Sequence, residues 1–384
     1  MKFRRAVFWI HLSAGVAAAG VILIMAATGV MLAYEPQIMA WARRQYRVAN
    51  SRGRQALPVS AVLAHLPQAP SALTLRADPG AALEISYGRD RIVFLDPYSG
   101  ETLGESRRLP AFFAQVENLH RRLGVAEAHH RLGQAITGAC NLAFLLLVCT
   151  GPLLWWPRDW TWTNLRKVLF FRRDLSGRAR FWNWHNVLGS WCVAPLLVIV
   201  LTGVILSYGW ATDLLYRLTG NQAPSRPASA QEKSGREHQP RLEEATGARA
   251  SDLDRMVAAA KQTPRWRTIT LRTPTGRGPL SATVDQGNGG RPDLRSQFTL
   301  DPKTGEVRQE AFSDYNSGRR LRAWARFSHT GEAAGPWGQS IAAAAAAGAS
   351  LLAITGILLS FKRWRVWKSR ADRPQMVIPD DSPG

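Results

Sequence analysis

Residues 181–208 read FWNWHNVLGSWCVAPLLVIVLTGVILSY, and the organisation of the whole chain follows from this stretch. His185 opens a long apolar run whose other ionisable groups are the Cys192 thiol and the closing Tyr208. Gly189 follows His185 at +4, and Thr202-Gly203 follow at +17 and +18. The N-terminus repeats the layout: His11, then Gly15 at +4 and Thr28-Gly29 at +17 and +18. A lone histidine near a helix end carries little information. The same histidine in the same frame of two apolar helices points to a duplicated site.

Working outward, the 384 residues hold four apolar stretches, about 6–33, 135–156, 187–210 and 341–361. Each has roughly the 20 residues a helix needs to cross the hydrocarbon core. The expected segmentation is a first span over 1–34, a second over 131–157, a third over 183–210 and a fourth over 337–362. Two long polar insertions cover 35–130 and 211–336, a basic connection covers 158–182 and a tail covers 363–384.

The net charge is +21. Much of the excess is juxtamembrane, at Lys2, Arg4 and Arg5, at Arg158, Arg166, Lys167, Arg172 and Arg173, and at Lys362, Arg363 and Arg365. It faces anionic lipid rather than nucleic acid. Short basic loops stay in the cytoplasm, so both termini are expected inside and both long insertions outside. In a bacterium this means the inner membrane, with the insertions in the periplasm. The first span is long and lacks a clear small-residue cleavage site, which suggests an uncleaved anchor. Cys140, Cys149 and Cys192 all sit in apolar spans and read as small packing residues.

The first insertion reads as a small α+β unit. Residues 59–66 have helical spacing, 82–87 and 91–95 alternate as strands, and Asp96-Pro97-Tyr98-Ser99-Gly100-Glu101 is a tight turn. The turn recurs as Asp301-Pro302-Lys303-Thr304-Gly305-Glu306, after helical spacing at 253–261 and alternation at 268–271. Residues 221–250 lack periodicity and read as a linker. Residues 41–47 are expected to lie along the outer interface. Each insertion returns to the membrane through a histidine, His120 or His329, then Gly133-Gln134 or Gly338-Gln339. The closing spans also match, at Thr150-Gly151 and Thr355-Gly356. The chain is therefore one unit used twice: a parallel tandem repeat, with a pseudo-twofold axis along the membrane normal and a four-helix bundle under two outer units.

Depth sorts the histidines into two pairs. His11 and His185 fall at the inner ends of their spans, and His120 and His329 at the outer ends. Facing imidazoles across a bundle suit axial ligation of b-type haem, two per chain, and two axial histidines favour electron transfer over oxygen chemistry. Gly15 and Gly189, one turn on, leave room for a flat porphyrin. His129 and His130 compete with His120 for the outer position, His130 being nearer the apolar span. The bland alternative makes each interfacial histidine a headgroup or backbone partner. His65 and His238 read as surface residues, and zinc is disfavoured because no carboxylate or cysteine completes a set. Trp155, Trp156, Trp160, Trp162, Trp364 and Trp367 read as an interfacial belt. Trp182, Trp184 and Trp191 flank His185 as possible haem-edge residues. Trp266, Tyr315, Arg319, Arg320 and Trp324 are candidates for contact with an outer ligand, or else ordinary core and surface.

The repeated Asp-Pro-x-[Ser/Thr]-Gly-Glu turn resembles that of the PepSY domain. His-x-x-x-Gly with its downstream Thr-Gly, and Leu119-His120-Arg121 before span two, resemble the PepSY-associated transmembrane family over about 5–368. The resemblance implies an inner-membrane reductase of ferric siderophores (FoxB-type), with b haems between four spans and His11, His185, His120 and His329 as ligands. A ferric siderophore would be the substrate. Some relatives carry a fused flavin reductase domain. None is expected in this chain, so the electron donor would be a separate quinol or cytoplasmic reductase. Two other classes stay open: a non-enzymatic permease component or peptide-binding modulator, which would be colourless, and a haem partner of another oxidoreductase, which would leave ferric chelates unreduced.

Overall fold

The computed structural model describes residues 2–49, 53–157, 159–224, 250–273, 279–301 and 304–371. Most of the expected linker (225–249, with His238), the tail beyond 371, Arg158, and Pro302 and Lys303 of the second turn lie outside the described residues.

Among the described residues, four helices are long and apolar enough to cross a membrane. They are α1 (Lys2–Ala33), α5 (His130–Trp155), α7 (Gly177–Ser207) and α11 (Gly335–Ala371). They pack in a ring: α1 against α5 and α11, and α7 against α5 and α11. The third span ends earlier than hydropathy suggests, because Tyr208 turns to extended backbone before α8 (Gly209–Leu218). The fourth runs past its expected end, since its basic, aromatic continuation is still good helix-forming sequence. The basic connection holds a short helix, α6 (Trp162–Leu169), packed on α7.

The two insertions share one sheet. The first gives α2 (Glu35–Ala42), α3 (Val59–Ala64), β1 (Ala72–Arg76), β2 (Leu83–Tyr87), β3 (Arg91–Leu95), β4 (Thr102–Ser106) and α4 (Arg108–Arg122). The second gives α9 (Ala250–Lys261), β5 (Thr268–Arg272), β6 (Ser281–Asp285), β7 (Arg295–Leu300), β8 (Val307–Ala311) and α10 (Ser317–His329). The eight strands run in the order β4-β3-β2-β1-β5-β6-β7-β8, all antiparallel. The units join at β1–β5, where Thr74 pairs with Thr270 and their hydroxyls lie 3.2 Å apart. Alternation gives the sheet two faces. One carries Leu73, Ile85, Ile269, Leu271, Val284 and Phe298, which share a single core with Val59, Val62, Leu253 and Met256 of α3 and α9. The other face is polar, with Thr74, Arg76, Glu84, Thr270, Arg272 and Gln297.

The first tight turn forms as expected, and the described residues of the second match it. Asp96 Oδ1 accepts from Tyr98 N at 2.7 Å, and Gly100 and Gly305 take positive φ of 79° and 66°. The stretch at 41–47, expected along the membrane interface, is instead tied to the sheet. Arg43 reaches Glu84 at 3.3 Å, and Tyr46 stacks on Phe94 with ring centroids 4.0 Å apart. Ion pairing to a buried carboxylate and aromatic stacking outweigh amphipathic exposure here.

The histidine-bearing helices α4 and α10 connect the sheet to the bundle, packing on α1 and α7 respectively. Two glycines allow the close approach at their ends. A Cβ on Gly133 would overlap the Arg122 carbonyl, and one on Gly338 the Gly331 carbonyl. Gly133→Ala or Gly338→Ala should therefore destabilise the detergent-solubilised protein by about 1–3 kcal/mol of overpacking. Gly20→Ala, whose added methyl meets nothing within 4 Å, should leave the Tm unchanged. Equal thermal unfolding curves for the three variants and wild type would contradict this packing.

Candidate functional site

The site is built from histidines and threonines that lie on different helices. His11 and Thr28 share α1, but 17 residues of helix separate them by roughly 26 Å. Each histidine instead meets a Thr-Gly pair on a neighbouring helix. His11 Nδ1 lies 2.8 Å from Thr150 Oγ1 of α5, and His185 Nδ1 lies 2.9 Å from Thr355 Oγ1 of α11. His120 Nδ1 lies 3.0 Å from Thr28 Oγ1 of α1, and His329 Nδ1 lies 3.3 Å from Thr202 Oγ1 of α7. One contact is used four times.

The hydroxyl protons fix the tautomers. Thr150 and Thr355 donate to the carbonyls of Leu146 and Leu351, both at 2.7 Å, and Thr28 and Thr202 donate to those of Ile24 and Val198, both at 2.6 Å. A carbonyl only accepts, so each hydroxyl's single proton is committed to its own helix. The threonine oxygen is then the acceptor and Nδ1–H the donor. His329 makes the same point directly, donating from Nδ1 to the Ile199 carbonyl at 2.8 Å. All four neutral imidazoles thus keep the lone pair on Nε2, the nitrogen a metal would take. The glycine after each threonine lies beside the ring, and the fit is tightest at Gly203. A Cβ at Gly29, Gly151, Gly203 or Gly356 would come within 3.6, 3.9, 3.2 or 3.6 Å of the facing Cε1.

The histidines stand at two levels. His11 and His185 line a cavity of about 600 Å³ enclosed by the four long helices, within the range of ~300–1,000 Å³ typical of cofactor pockets. Gly15 and Gly189 form part of its wall, and Arg4, Arg5, Arg178 and Arg363 line it as well. At the other level the His120 and His329 rings lie with centroids 6.5 Å apart at an interplanar angle of 65°. A metal bonded at about 2 Å to two opposed imidazole nitrogens would hold the ring centres roughly 6 Å apart, so the observed spacing suits one. An apolar layer of Ala26, Val148, Leu196, Val200, Ala345 and Ala349 occupies the helices between the levels. Low dielectric in that layer keeps water and loose charge out of the bundle.

The other predicted residues divide. His130 opens α5 and is not part of the ring pair, which His120 forms. Of the tryptophans flanking His185, Trp182 lines the cavity, whereas Trp184 packs on Phe171 and Trp191 donates to the Leu169 carbonyl at 2.9 Å. Trp155, expected in the interfacial belt, also lines the cavity. Trp266 packs on the sheet's core, apart from the other outer candidates. Tyr315, Arg319 and Trp324 do cluster. The Arg319 guanidinium sits 3.6 Å from the centre of the Tyr315 ring and pairs with Glu310, and Phe312 links Tyr315 to Trp324. Burial pushes the Tyr315 phenol up, against the opposing pull of Arg319. These partners account for the cluster as local packing. Sequence reasoning gave the four threonines no role, although the recurrence of Thr-Gly at four span ends was the signal that marks them.

Comparison with curated proteins finds no match. The profile of one family, described as the PepSY-associated TM region, matches residues 8–363. That match takes in two of the long helices whole and most of the first and fourth, the shared sheet and every one of the eight residues in the histidine–threonine contacts. The chain belongs to the PepSY-associated TM region family.

Proposed function

We propose that this protein is a dihaem reductase of the bacterial inner membrane that passes electrons outward to a periplasmic ferric siderophore. The observation that carries the reading is the fourfold Nδ1–H to threonine contact, which leaves two pairs of histidines with free Nε2 lone pairs. The residues fit b-type haem. The inner cavity combines two such histidines, small residues where a flat ring would pass, and four arginines able to meet carboxylates. The outer pair has the ring spacing of two imidazoles on one metal. Haem held by these histidines would supply a one-electron couple.

The chain's own residues do the rest. His11 and His185 would hold one group and His120 and His329 the other, each ligand pair drawn from both halves of the chain. The reading takes the two halves as a tandem duplication about an axis along the membrane normal, through the Thr74–Thr270 contact. It places both termini in the cytoplasm and the sheet in the periplasm, in line with the basic loops. The threonines fix ring orientation, and the apolar layer between the levels excludes water. The substrate, Fe(III) in an oxygen-donor chelate, gains one electron and is released as Fe(II), which hard oxygen donors hold far less well. A separate quinol or reductase loses that electron.

Two experiments test this. Purified protein from haem-replete cells should show a dithionite-reduced b-type spectrum that reoxidises on adding ferric siderophores. The double variant His11→Ala/His185→Ala should keep one of the two haems. A colourless wild type, or a double variant that keeps both haems, would contradict the assignment. Second, Thr150→Val with Thr355→Val removes the acceptors for the inner pair. Loss of such a partner weakens metal sites by about 10–100-fold, so haem transfer to a scavenging globin should speed up for one haem of two. Thr28→Val with Thr202→Val should affect the other haem.

A further inference from the structure

Three amide side chains, Asn141, Asn183 and Gln339, are buried on the four long helices among the described residues, and two of them are fully bonded. Asn183 accepts from the Arg172 backbone N–H at 3.0 Å and donates to the Lys167 and Phe170 carbonyls at 3.0 and 3.2 Å. Gln339 donates to the Ala33 carbonyl at 2.9 Å and accepts from the Gln37 amide. Asn141 of α5 differs. It is 6 % exposed and makes one hydrogen bond among the described residues, from Nδ2 to the Val200 carbonyl of α7 at 3.3 Å. That bond uses one of its two N–H groups and leaves Oδ1 without a described partner. A polar group with spare valences inside an apolar bundle is costly, and within a membrane span it marks function by default.

Asn141 lies beside one of the outer histidines. A Cβ on Gly203 would come within 3.0 Å of Asn141 Nδ2, 3.5 Å of its Oδ1 and 3.2 Å of His329 Cε1, so the amide and the ring edge flank the same glycine. The other outer histidine has no such neighbour. A Cβ on Gly29 would meet His120 Cε1 at 3.6 Å and the Ala346 methyl at 3.9 Å. Asn141 stands nine residues before Thr150, and Ala346 nine before Thr355, so the two positions correspond. At the inner level, Gly151 and Gly356 face the His11 and His185 ring edges with no other side chain within 4 Å. Of the four histidine–glycine contacts, one therefore carries a polar side chain, and it belongs to the outer pair.

From this placement we infer that Asn141 is a positioning residue that tunes the outer redox centre, holding the reduction potential at the His120–His329 pair lower than an apolar wall would. Iron in a porphyrin dianion with two neutral imidazoles is uncharged when ferrous and carries one positive charge when ferric. Apolar surroundings favour the uncharged form, and an amide dipole with a free oxygen stabilises the charged one. A dipole of that size beside a unit charge in a protein interior shifts such a ratio by about three- to tenfold. The inference rests on the dihaem reductase reading and deepens it. A lower potential at the outer level gives the electron up more readily to tightly chelated Fe(III).

The test is a spectroscopic redox titration of full-length, haem-loaded protein in detergent. The outer signal is the one that survives in His11→Ala/His185→Ala. Asn141→Leu keeps the side-chain volume and removes the dipole. It should raise the outer potential, so that at the wild-type midpoint the ferrous-to-ferric ratio of that haem grows about three- to tenfold, with the other haem unmoved. Ala346→Asn adds an amide at the corresponding position beside His120 and should move the same potential the opposite way. Asn141→Leu/Ala346→Asn should return it close to wild type. An amide that only ties α5 to α7 would lower the Tm of Asn141→Leu and leave both potentials in place, and that result would overturn the inference. So would an unmoved outer potential in Ala346→Asn, which keeps the Asn141 contact intact, or a haem lost from Asn141→Leu and not recovered in the double variant. Protein without haem would remove the reductase reading and this inference together, whereas two haems with unmoved potentials would remove this inference alone.

Discussion

A threonine hydroxyl that has already given its proton to its own helix can only accept, and four histidines are set against four such hydroxyls. This constraint decides the rest of the site. It puts the proton on Nδ1, turns the basic Nε2 free, and holds the Cε1 edge of each ring beside the glycine that follows the threonine. It also ties the bundle together. Each contact joins two different helices, α1 to α5, α7 to α11, α4 to α1 and α10 to α7, so the residues that orient the rings are also ones that fix the helix pairing.

The two levels of histidines are held apart by the length of one helix. His11 and Thr28 stand 17 residues apart, and Thr28 holds His120, so α1 itself sets a separation of roughly 26 Å between the levels. That is close to the hydrocarbon thickness. The apolar layer between them is packed from Ala, Val and Leu, and its small alanines on α1 and α11 let those helices approach closely. On the far side, the shared core below β1–β5 makes the two insertions one body.

Much of this was legible in the sequence because it depends on spacing along one chain. The four spans, the two histidine levels, the paired Asp-Pro-x-[Ser/Thr]-Gly-Glu turns and the strands at 83–87 and 91–95 all show as periodicity or as a repeated frame. What escaped depends on contacts between distant segments. The Thr-Gly pairs were visible, but that Thr150 serves His11 while Thr28 serves His120 requires knowing which helices are neighbours. The β1–β5 junction has no local signal, since its register is set by residues some 196 positions apart. β8 reads VRQEA, an edge strand with charges where a core strand would alternate. The stretch at 41–47 reads as interfacial because its partners, Glu84 and Phe94, lie on a sheet that local sequence does not place beside it.

The central claim is that both histidine pairs, each oriented by threonine, serve as axial ligands. Low-temperature electron paramagnetic resonance of the oxidised, purified protein tests it most directly. The account predicts two low-spin ferric haem species with bis-imidazole anisotropy and no stoichiometric high-spin signal. A single species, a high-spin iron with an open axial position, or protein free of haem would contradict it.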